Sequence, residues 1–312
     1  MYKINFKTKL IASIVIATFL IAVSTPTITL AQEYKHYVTV LMHLENDEYL
    51  EPYDVAFDSQ GNTYIILYDE DVYEYYVVKL NLKGQVLWAK NISEDCAYIY
   101  FIAYDEYSNK VFITGEHYFN GHWHEFIAKL NADNGDFEKA ILTPCSTNVC
   151  HWPQTIVSDG KGNIYVSDEM DYCSGGEWKY GVYILKFDVE LDYKWGKGIM
   201  ENDNIYPEIL SWTPFGSPLD VDSQGNVYAG VSLWLETRKF NGRYYSISPL
   251  SLMKISSDGT VAKVIAYNSS NPELVASYDD YVHTVRVKDS GEVFFIAGIN
   301  LHNVTSGSGY SM

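Results

Sequence analysis

Residues 58–64 read DSQGNTY, and residues 222–228 repeat this heptapeptide almost unchanged as DSQGNVY. Asp and Ser side chains bond to nearby backbone amides, while Gly and Asn tolerate the positive φ angles that a tight hairpin needs. Turn formation alone would explain one copy of such a stretch. A second copy far along the chain predicts that a whole structural unit has been duplicated.

Five segments follow this pattern of a short apolar strand, a polar turn and a second strand that alternates apolar and polar residues. They are AFDSQGNTYIILY (56–68), AYDEYSNKVFITG (103–115), VSDGKGNIYVSDE (157–169), DVDSQGNVYAGVS (220–232) and RVKDSGEVFFIAG (286–298). A second pattern follows four of the five and places a lysine in an apolar strand, before a turn and a further strand. Its copies are VVKLNLKGQVLWAK (77–90), IAKLNADNGDFEKA (127–140), ILKFDVELDYKWGK (184–197) and LMKISSDGTVAKVI (252–265). The repeating unit is therefore predicted to be four consecutive strands joined by hairpins.

The spacing of these units, roughly 47 to 66 residues, is typical of the four-stranded antiparallel blades of a β-propeller. A single small sheet cannot bury both of its faces, so blades stack radially and each one covers its neighbour. No segment carries a helical period of useful length, which excludes a helical solenoid, and a β-sandwich would not repeat two turn motifs in the same order. The chain is thus predicted to be all-β, with at least five blades represented and the last one incomplete.

The repeats also resemble two known families of propellers. DVAFDSQGNTYI (54–65) with VVKLNLKGQVLWAK (77–90) is similar to the secreted seven-bladed β-propeller (SBBP-type) repeats, and PQTIVSDGKGNIYVSDE (153–169) is similar to NHL-type blades. The resemblance covers most of residues 38–300 and implies the propeller fold. It implies no particular activity, because these families share turns and core residues rather than a catalytic set.

Both ends of the chain bear on how the ring closes. KHYVTVLMHLEND (35–47) stands where the last strand of a blade is expected. We predict that it is the outer strand of the final blade, where it would hide an exposed sheet edge. After VFFIAG (293–298) no third strand with its lysine follows. We therefore expect Met312 to be a truncation point, and the alternative is a five-bladed ring whose last sheet is incomplete.

The amino terminus has the pattern of a secretory signal peptide. Three lysines precede an apolar run from Leu10 to Val23, and small residues ending at Ala31 form a cleavage site. The alternative is an uncleaved signal anchor. We predict that residues 1–31 are removed, that residues 32–312 form the propeller, and that the protein is secreted or held at the cell surface. No later apolar stretch has the length that a membrane span requires.

The chain is acidic, with a formal net charge of −18. Removing residues 1–31 would take away three lysines and no carboxylate, which would lower the formal charge to −21. A charge of this size keeps an exported protein soluble and argues against nucleic acid or an anionic membrane surface as a partner. The partners that fit this charge are therefore proteins or glycans outside the cell.

Covalent modification is expected in an oxidising compartment. Cys145 and Cys150 bracket a short loop and are predicted to form a disulfide, which leaves Cys96 and Cys173 as a second pair, and the alternative is free thiols. Three glycosylation sequons are also present, although such triplets arise by chance in a chain rich in Asn, Ser and Thr. They begin at Asn91, Asn268 and Asn303.

The segment GEHYFNGHWHEF (115–126) is the densest group of potential metal ligands. In an extended strand His122 and His124 lie on one face, and one further ligand would complete a zinc or copper site. The candidates for that ligand are Glu116, His117 and Glu125. Acidic turns offer oxygen ligands for Ca²⁺, and they lie at 69–71, 133–136, 168–171 and 279–280. The alternatives are a solvated aromatic hairpin and solvated turns that hold no metal.

The three longest insertions lie at 170–180, 200–216 and 234–248. They are predicted to be ligand-binding loops, because loops over a rigid scaffold carry most binding chemistry. The candidate ligand-binding residues in them are Trp178, Trp212, Trp234, Arg238, Arg243 and Tyr244. The chain also has 28 tyrosines, enough to supply sugar-binding platforms. The alternative is that these rings fill space between the blades.

No nucleophile elbow, zinc-protease helix motif or phosphate-binding loop occurs in the sequence. The protein is therefore predicted to be a non-catalytic extracellular or cell-surface module that binds a protein or a glycan. One alternative is a propeller enzyme, carbohydrate-active or quinone-dependent, with its site in the central channel. Another is a structural part of a larger envelope protein. Polar residues that converge on the channel would favour the enzyme, and Tyr and Trp that converge on a rim would favour the binding module.

Overall fold

The computed structural model describes most of the chain between residues 50 and 303. The described ranges are 10–13, 41–44, 50–93, 98–143, 149–174, 177–200, 211–213, 218–234, 236–240, 243–247, 250–267, 274–276, 281–288, 290–298, 300–303 and 309–311. Within them the regular elements are all β-strands. None of these residues forms a helix with the length and apolar character needed to cross a bilayer.

The first two strands, β1 (Leu10–Ser13) and β2 (Leu41–Leu44), form a short antiparallel pair. Three complete antiparallel sheets follow, each with four strands in chain order. Blade 1 comprises β3 (Leu50–Phe57), β4 (Thr63–Asp69), β5 (Glu74–Leu80) and β6 (Val86–Asn91). Blade 2 comprises β7 (Tyr98–Asp105), β8 (Lys110–Phe119), β9 (His122–Asn131) and β10 (Phe137–Leu142). Blade 3 comprises β11 (Val149–Ser158), β12 (Asn163–Ser174), β13 (Glu177–Asp188) and β14 (Tyr193–Met200).

Blade 4 has the same order with an interrupted first strand. Its first position is shared by β15 (Ser211–Thr213) and β16 (Leu219–Val221), which both pair with β17 (Val227–Trp234). A separate hairpin of β18 (Glu236–Phe240) and β19 (Arg243–Ile247) precedes its last two strands, β20 (Leu250–Ile255) and β21 (Val261–Tyr267). The remaining strands are β22 (Leu274–Ala276), β23 (Tyr281–Val287), β24 (Val293–Gly298), β25 (Asn300–Asn303) and β26 (Gly309–Ser311). Blade 5 consists of β23 and β24, while β22, β25 and β26 form a small sheet of their own.

The first strand of each blade lies beside the first strand of the next. β3 contacts β7, β7 contacts β11, β11 contacts β16 and β16 contacts β23. These strands are therefore innermost, and each sheet extends outward from them to its fourth strand. The molecule is a β-propeller of four-stranded antiparallel blades with five blades represented, and the last one is incomplete, as the repeats predict.

Each blade buries one face against the next blade. Between blades 1 and 2 a single cluster includes Tyr64, Ile66 and Val77 from one sheet and Ile99, Val111 and Leu130 from the other. Similar clusters join blade 2 to blade 3, blade 3 to blade 4 and blade 4 to blade 5. Since full burial of one large apolar side chain contributes roughly 1.5–3 kcal/mol, these contacts are the main source of the ring's stability.

Antiparallel pairing sends the connections of each blade to two opposite ends of the ring. The turns between first and second strands and between third and fourth strands share one end, which we call the turn face. In blade 1 these are residues 58–62 and 81–85. The connections between second and third strands, and those between blades, share the other end, which we call the loop face. In blade 1 the loop face includes residues 70–73.

On the turn face, the repeated motif closes on an aspartate. The Asp58 carboxylate accepts bonds from two backbone N–H groups at 2.8 and 3.0 Å and from the Asn62 amide at 2.7 Å. Gly61 has a φ of 81°, a positive angle that residues other than glycine rarely adopt. Asp159 and Asp222 make the same three bonds in blades 3 and 4. The turns predicted from the repeat are therefore formed by the bonds that the motif implies.

In blade 1, the lysine of the second sequence pattern joins the blade to the following one. Lys79 donates from Nζ to the carbonyl oxygen of Ala132 at 3.0 Å, and Trp88 donates from Nε1 to the same oxygen at 3.0 Å. Trp195 donates in the same way to the Ser257 carbonyl at 3.1 Å. Ala132 and Ser257 lie on the turn face of the following blade. We call these two sets of bonds the blade clamps.

One expectation about ring closure is wrong. Residues 35–47 were expected in the outer strand of the last blade, but β2 pairs with β1 instead. Within the described ranges, blade 5 offers no third strand to which an outer strand can bond, because β25 and β26 pair with β22 and with each other. Phe294, Phe295 and Ile296 of blade 5 are accordingly exposed.

Candidate functional site

The innermost strands of all five blades surround a central channel. The cavity there has a volume of about 1120 Å³. Its wall includes residues 54–57 of β3, 100–104 of β7, 152–158 of β11, 218–220 at β16 and 282–284 of β23. Glu116 and Glu169, from the second strands of blades 2 and 3, also reach it. Side chains from every blade thus meet in this channel.

Four of the five innermost strands contain a β-bulge at an equivalent position near the loop face. The bulged residues are Tyr53, Tyr100, Gln154 and His283. The equivalent stretch of blade 4, residues 214–217, lies outside the described ranges. A bulge bends its strand and redirects the side chain of the extra residue. The backbone feature is repeated, but the side chain that it presents is a tyrosine in blades 1 and 2, a glutamine in blade 3 and a histidine in blade 5.

In blade 2 a tyrosine and a glutamate form a buried pair at the channel wall. Tyr100 donates from its hydroxyl to Glu116 Oε2 at 2.8 Å. Burial raises the pKa of the Glu116 carboxyl, and the bond from Tyr100 opposes that rise. Burial also raises the pKa of the Tyr100 hydroxyl, so the phenol stays protonated and remains the donor.

Blade 3 adds two carboxyl groups beside this pair. Asp168 is fully buried, and burial raises the pKa of its carboxyl well above the ordinary value. A backbone hydrogen bond from Trp152 opposes the rise, while the negative charges of Glu169 and Glu116 add to it. Gln154 Nε2 lies 3.4 Å from Glu169 Oε2. A carboxyl with a raised pKa keeps its proton closer to neutral pH and can donate it there.

Two further carboxylates join neighbouring blades at the channel wall. Asp54 accepts a bond from the Ile102 N–H at 2.9 Å, and Asp220 accepts one from the Val287 N–H at 2.7 Å. Each acceptor lies on the innermost strand of one blade, and each donor lies on that of another. Burial raises the pKa of Asp54, while its backbone bonds and the positive charge of Arg286 oppose the rise.

The described lining of the channel is predominantly acidic. Its acidic groups, which we call the channel carboxylates, are Asp54, Glu116, Glu169 and Asp220. Arg286 is the single lysine or arginine among the described lining residues. A cavity surrounded by low-dielectric protein strengthens the field of such groups, so it favours cationic ligands over anionic ones.

A chain of aromatic rings leads from the rim of the loop face to the channel. We call this set the aromatic track, and in order it comprises Tyr118, Trp123, Tyr98, Tyr100 and Tyr53. Successive ring centroids are 5.2, 5.2, 6.4 and 6.4 Å apart. Four of the rings are open to solvent, with exposed fractions of 55, 42, 41 and 42% for Tyr118, Trp123, Tyr98 and Tyr53. The fourth ring, Tyr100, carries the hydroxyl that bonds Glu116.

Local structure explains why these rings meet. Asn120 and Gly121 have φ values of 52° and 87°, the positive angles of a two-residue hairpin, and they connect β8 to β9. That turn sets Tyr118 directly opposite Trp123 across the two strands. Aromatic pairs opposite each other in a sheet stabilise it by up to about 1 kcal/mol. At the other end of the track, the buried ring of Tyr75 packs edge-on against Tyr53, with centroids 5.6 Å apart.

The predicted ligand-binding residues have their backbones in strands rather than in loops. Trp178 lies in β13, Trp212 in β15, Trp234 in β17, Arg238 in β18, and Arg243 and Tyr244 in β19. Residues 170–180 and 234–248 connect second and third strands, and 200–216 connects two blades, so all three insertions belong to the loop face. The side chains of the six residues lie outside the described part of the structure. Their role in binding stays a prediction.

The predicted histidine site is placed only in part. His117 lies directly opposite His124 across β8 and β9, and His122 lies opposite Phe119. Among the described residues, no three His, Cys, Asp or Glu side chains are close enough to hold a metal ion. The side chain of His122 lies outside that set, so the zinc or copper site stays a prediction. Calcium at the acidic turns likewise stays a prediction.

The predicted covalent modifications remain predictions as well. Cys96 and Cys145 lie outside the described ranges, and Cys150 and Cys173 are described in their backbones alone. Of the sequon asparagines, Asn91 is exposed at the end of β6, where its amide donates to Glu74 Oε2 at 2.6 Å. The other two are Asn268, outside the described ranges, and Asn303, in β25.

Sequence reasoning did not single out the aromatic track or most of the channel carboxylates. In the sequence, Glu116 is named only as a possible metal ligand, and none of the tyrosines of the aromatic track is named individually. A signal was nevertheless present, because one position of the repeat holds Tyr53 and Tyr100 in two blades but Gln154 and His283 in two others. A position that varies while its neighbours repeat is a candidate for function rather than for the fold.

No protein-family model matches the sequence, and no curated protein matches it either. Solved structures with a similar course of the chain include the Pan2 WD40 domain of Neurospora crassa, at 10% identity and a TM-score of 0.43, covering 88% of this chain and 78% of that one. BamB from Moraxella catarrhalis is 8% identical, with a TM-score of 0.33 and 88% of each chain covered. A mutant of Synechocystis apocarotenoid oxygenase is 10% identical, with a TM-score of 0.42, and covers 85% of this chain and 61% of its own. Likenesses this distant carry no information about the ligand or activity of this chain.

Proposed function

We propose that the protein is an exported binding module that holds a peptide or glycan ligand on its loop face, over the mouth of the channel. The observation that carries this proposal is the convergence of exposed aromatic rings at that mouth. Tyr98, Tyr118 and Trp123 are 41–55% exposed and touch one another in a row. Rigid rings supply large contact area with little loss of conformational entropy, which is why Tyr and Trp dominate recognition surfaces.

Export rests on the first 31 residues and on the acidic composition. Cleavage after Ala31 would give a mature chain that starts at Gln32 and would remove β1, the strand that pairs with β2. The resemblance to SBBP-type and NHL-type repeats agrees with an extracellular module. Mass spectrometry of the protein recovered from the medium or the cell surface tests this directly. A chain that stays inside the cell with residues 1–31 attached would contradict export.

Binding is tested by probing the immobilised full chain with a peptide library and a glycan array. We expect ligands that lose most of their affinity when Trp123 and Tyr118 are both replaced by Ala. The matched control is Tyr107→Ala, because Tyr107 is 75% exposed on the turn face, away from the aromatic track. Ligands that bind all three proteins equally well would contradict the proposed site, and so would the absence of any ligand.

A second candidate function is acid catalysis at the same place. It is favoured by the buried Glu116–Tyr100 pair beside Asp168, since burial raises the pKa of both carboxyls. A carboxyl that is protonated near neutral pH can protonate a leaving group. If a bound glycan is cleaved, Glu116→Gln should abolish turnover and leave the binding of a neutral glycan intact. A bound ligand recovered unchanged after prolonged incubation would exclude this candidate.

A further inference from the structure

The aromatic track is an open surface, unlike the pockets that usually anchor protein partners. Four of its five rings are 41–55% exposed, so part of each of these rings lies in water. Hot spots of protein–protein interfaces instead lie in fully desolvated pockets. A row of half-open rings is suited to a ligand that is itself a row of flat, partly apolar units. Sugar rings in an oligosaccharide have this form, with C–H groups on their faces and hydroxyls at their edges.

Hydrogen-bond acceptors lie where such a chain would end. Glu116 receives the Tyr100 hydroxyl at 2.8 Å, and Glu169 stands in the same part of the channel wall. An ionised carboxylate has about four acceptor positions and no donor, so it matches the donors that sugar hydroxyls and amino groups present. Bonds from an ammonium group to a carboxylate are roughly twice as strong as neutral ones.

Charge then selects among oligosaccharides. The channel carboxylates face a single described arginine, Arg286, and the whole chain has a formal charge of −18. Uronic acids and other anionic sugars would add negative charge to a site that has an excess of it. Amino sugars carry the opposite charge and gain from the same field. This preference should weaken as salt screens the charges.

We infer that the ligand of the loop face is an oligosaccharide without acidic groups, lying along the aromatic track, with amino sugars bound best and anionic sugars excluded. This inference rests on the proposed binding function and makes its ligand class specific. The sugar rings would stack on Trp123 and Tyr98, and the end of the chain would reach Glu116 at the channel wall.

Calorimetric titration of the full chain with three oligosaccharides of equal length tests the inference. The probes are a glucosamine oligomer, its N-acetylated neutral form and a galacturonic acid oligomer. We expect the glucosamine oligomer to bind at least about tenfold more tightly than the acidic one at about 20 mM salt, and the ratio to shrink at about 500 mM salt. An acidic oligomer that binds as tightly as the basic one would overturn the charge selection.

Variants separate stacking from charge. Trp123→Ala should weaken the basic and neutral oligomers alike by about tenfold, and Trp123→Phe should restore most of that loss. Glu116→Gln should reduce the advantage of the basic oligomer and leave the neutral one nearly unchanged. Tyr107→Ala should change neither. Sugar affinities that are unchanged in Trp123→Ala would overturn the placement on the track.

The screen with the peptide library and the glycan array distinguishes this inference from the proposed binding function on which it rests. Peptides that bind in a Trp123-dependent manner, with no oligosaccharide bound, would refute the ligand class and leave the binding module standing. The absence of any Trp123-dependent ligand would refute both.

Discussion

The two faces of the ring are built on opposite principles. On the turn face, Asp58, Asp159 and Asp222 occupy the equivalent position of three of the five blades and make the same bonds there. On the loop face, equivalent positions share a β-bulge but carry different residues, such as Tyr100 and Gln154. Repetition at one end indicates a role in the fold. Divergence at the other end indicates residues that the fold leaves free to serve a ligand.

The carboxyl groups show the same division. On the turn face, burial raises the pKa of Asp222, but hydrogen bonds from Asn226, Gln224 and Tyr228 outweigh it and hold the pKa below its ordinary value. In β12 of blade 3, burial raises the pKa of Asp168, and its bonds do not offset the rise. Asp222 is therefore suited to its charged form, whereas Asp168 is suited to being protonated.

The largest effect is expected from Trp88→Ala on the turn-face side. Trp88 is 9% exposed, packs in the cluster between blades 1 and 2, and donates to Ala132. Removing it should lower the free energy of unfolding by about 3–5 kcal/mol. Chemical denaturation followed by fluorescence measures this. A loss below about 1 kcal/mol would show that the blade clamp is not needed by the fold.

A change of opposite sign, a gain in stability, is expected at Asp168. Because folding raises the pKa of Asp168, its contribution becomes unfavourable as pH rises from the ordinary carboxyl range through the folded pKa. Asp168→Asn should therefore be more stable than the natural chain at pH about 7, with the difference vanishing at pH about 3. Asp222→Asn should do the reverse, since Asp222 stabilises the fold above its ordinary pKa and this is lost as pH falls. Chemical unfolding curves measured across this pH range give the stability of both variants. If both were more stable than the natural chain at pH about 7, or both less stable, the contrast between the two carboxyl groups would be contradicted.

Two glycines with positive φ give a smaller and closely matched comparison. Gly135 on the turn face has a φ of 73°, and a Cβ there would lie 2.7 Å from the ring of Trp88. Gly121 at the loop-face hairpin has a φ of 87°, and a Cβ would meet nothing within 4 Å. Gly121→Ala should cost about 1–2 kcal/mol for its backbone conformation alone. Gly135→Ala should cost about 1–3 kcal/mol more, because the tryptophan must move. Equal losses in thermal unfolding would refute the close packing at the clamp.

The smallest change in stability is expected from Trp123→Ala, although the chemistry is the same as in Trp88→Ala. Trp123 is 42% exposed and contacts the rings of Tyr98 and Tyr118. Its removal should lower the free energy of unfolding by about 1 kcal/mol or less, while ligand affinity falls about tenfold. The pair of tryptophans thus separates fold from function within one assay. If Trp123→Ala were as unstable as Trp88→Ala, Trp123 would be needed for the stability of the fold.

The turn face could be predicted from the sequence because its bonds are local. Asp58 bonds residues two and four positions ahead, so the motif DSQGN contains all the partners that it needs. The strands on either side follow from their alternation of apolar and polar residues. Five blades and an incomplete last one were accordingly predicted from repeats alone.

The candidate site could not be predicted in the same way, because its partners come from different strands and blades. Trp123 meets Tyr98, and Asp54 meets Ile102 of the neighbouring blade, only when the sheets stack. Insertion length predicts ligand-binding residues at the same end of the ring as the proposed site, but it does not point to these side chains. The outer-strand prediction for residues 35–47 also depended on a distant partner, and it is wrong because β2 pairs with β1. The described residues of blade 5 supply no third strand for it to bond.

The two blade clamps run in one direction along the chain, from blade 1 to blade 2 and from blade 3 to blade 4. Lys79 and Trp88 belong to blade 1, while the carbonyl oxygen that they share belongs to blade 2. A newly made blade therefore emerges with donors that stay hydrated until the next segment of polypeptide is synthesised. Assembly that proceeds from the amino end, one sheet at a time, satisfies each set of donors as the next blade forms. A nascent chain that stalls after blade 1 instead leaves the Lys79 ammonium and the Trp88 indole in water, although both are buried in the folded protein.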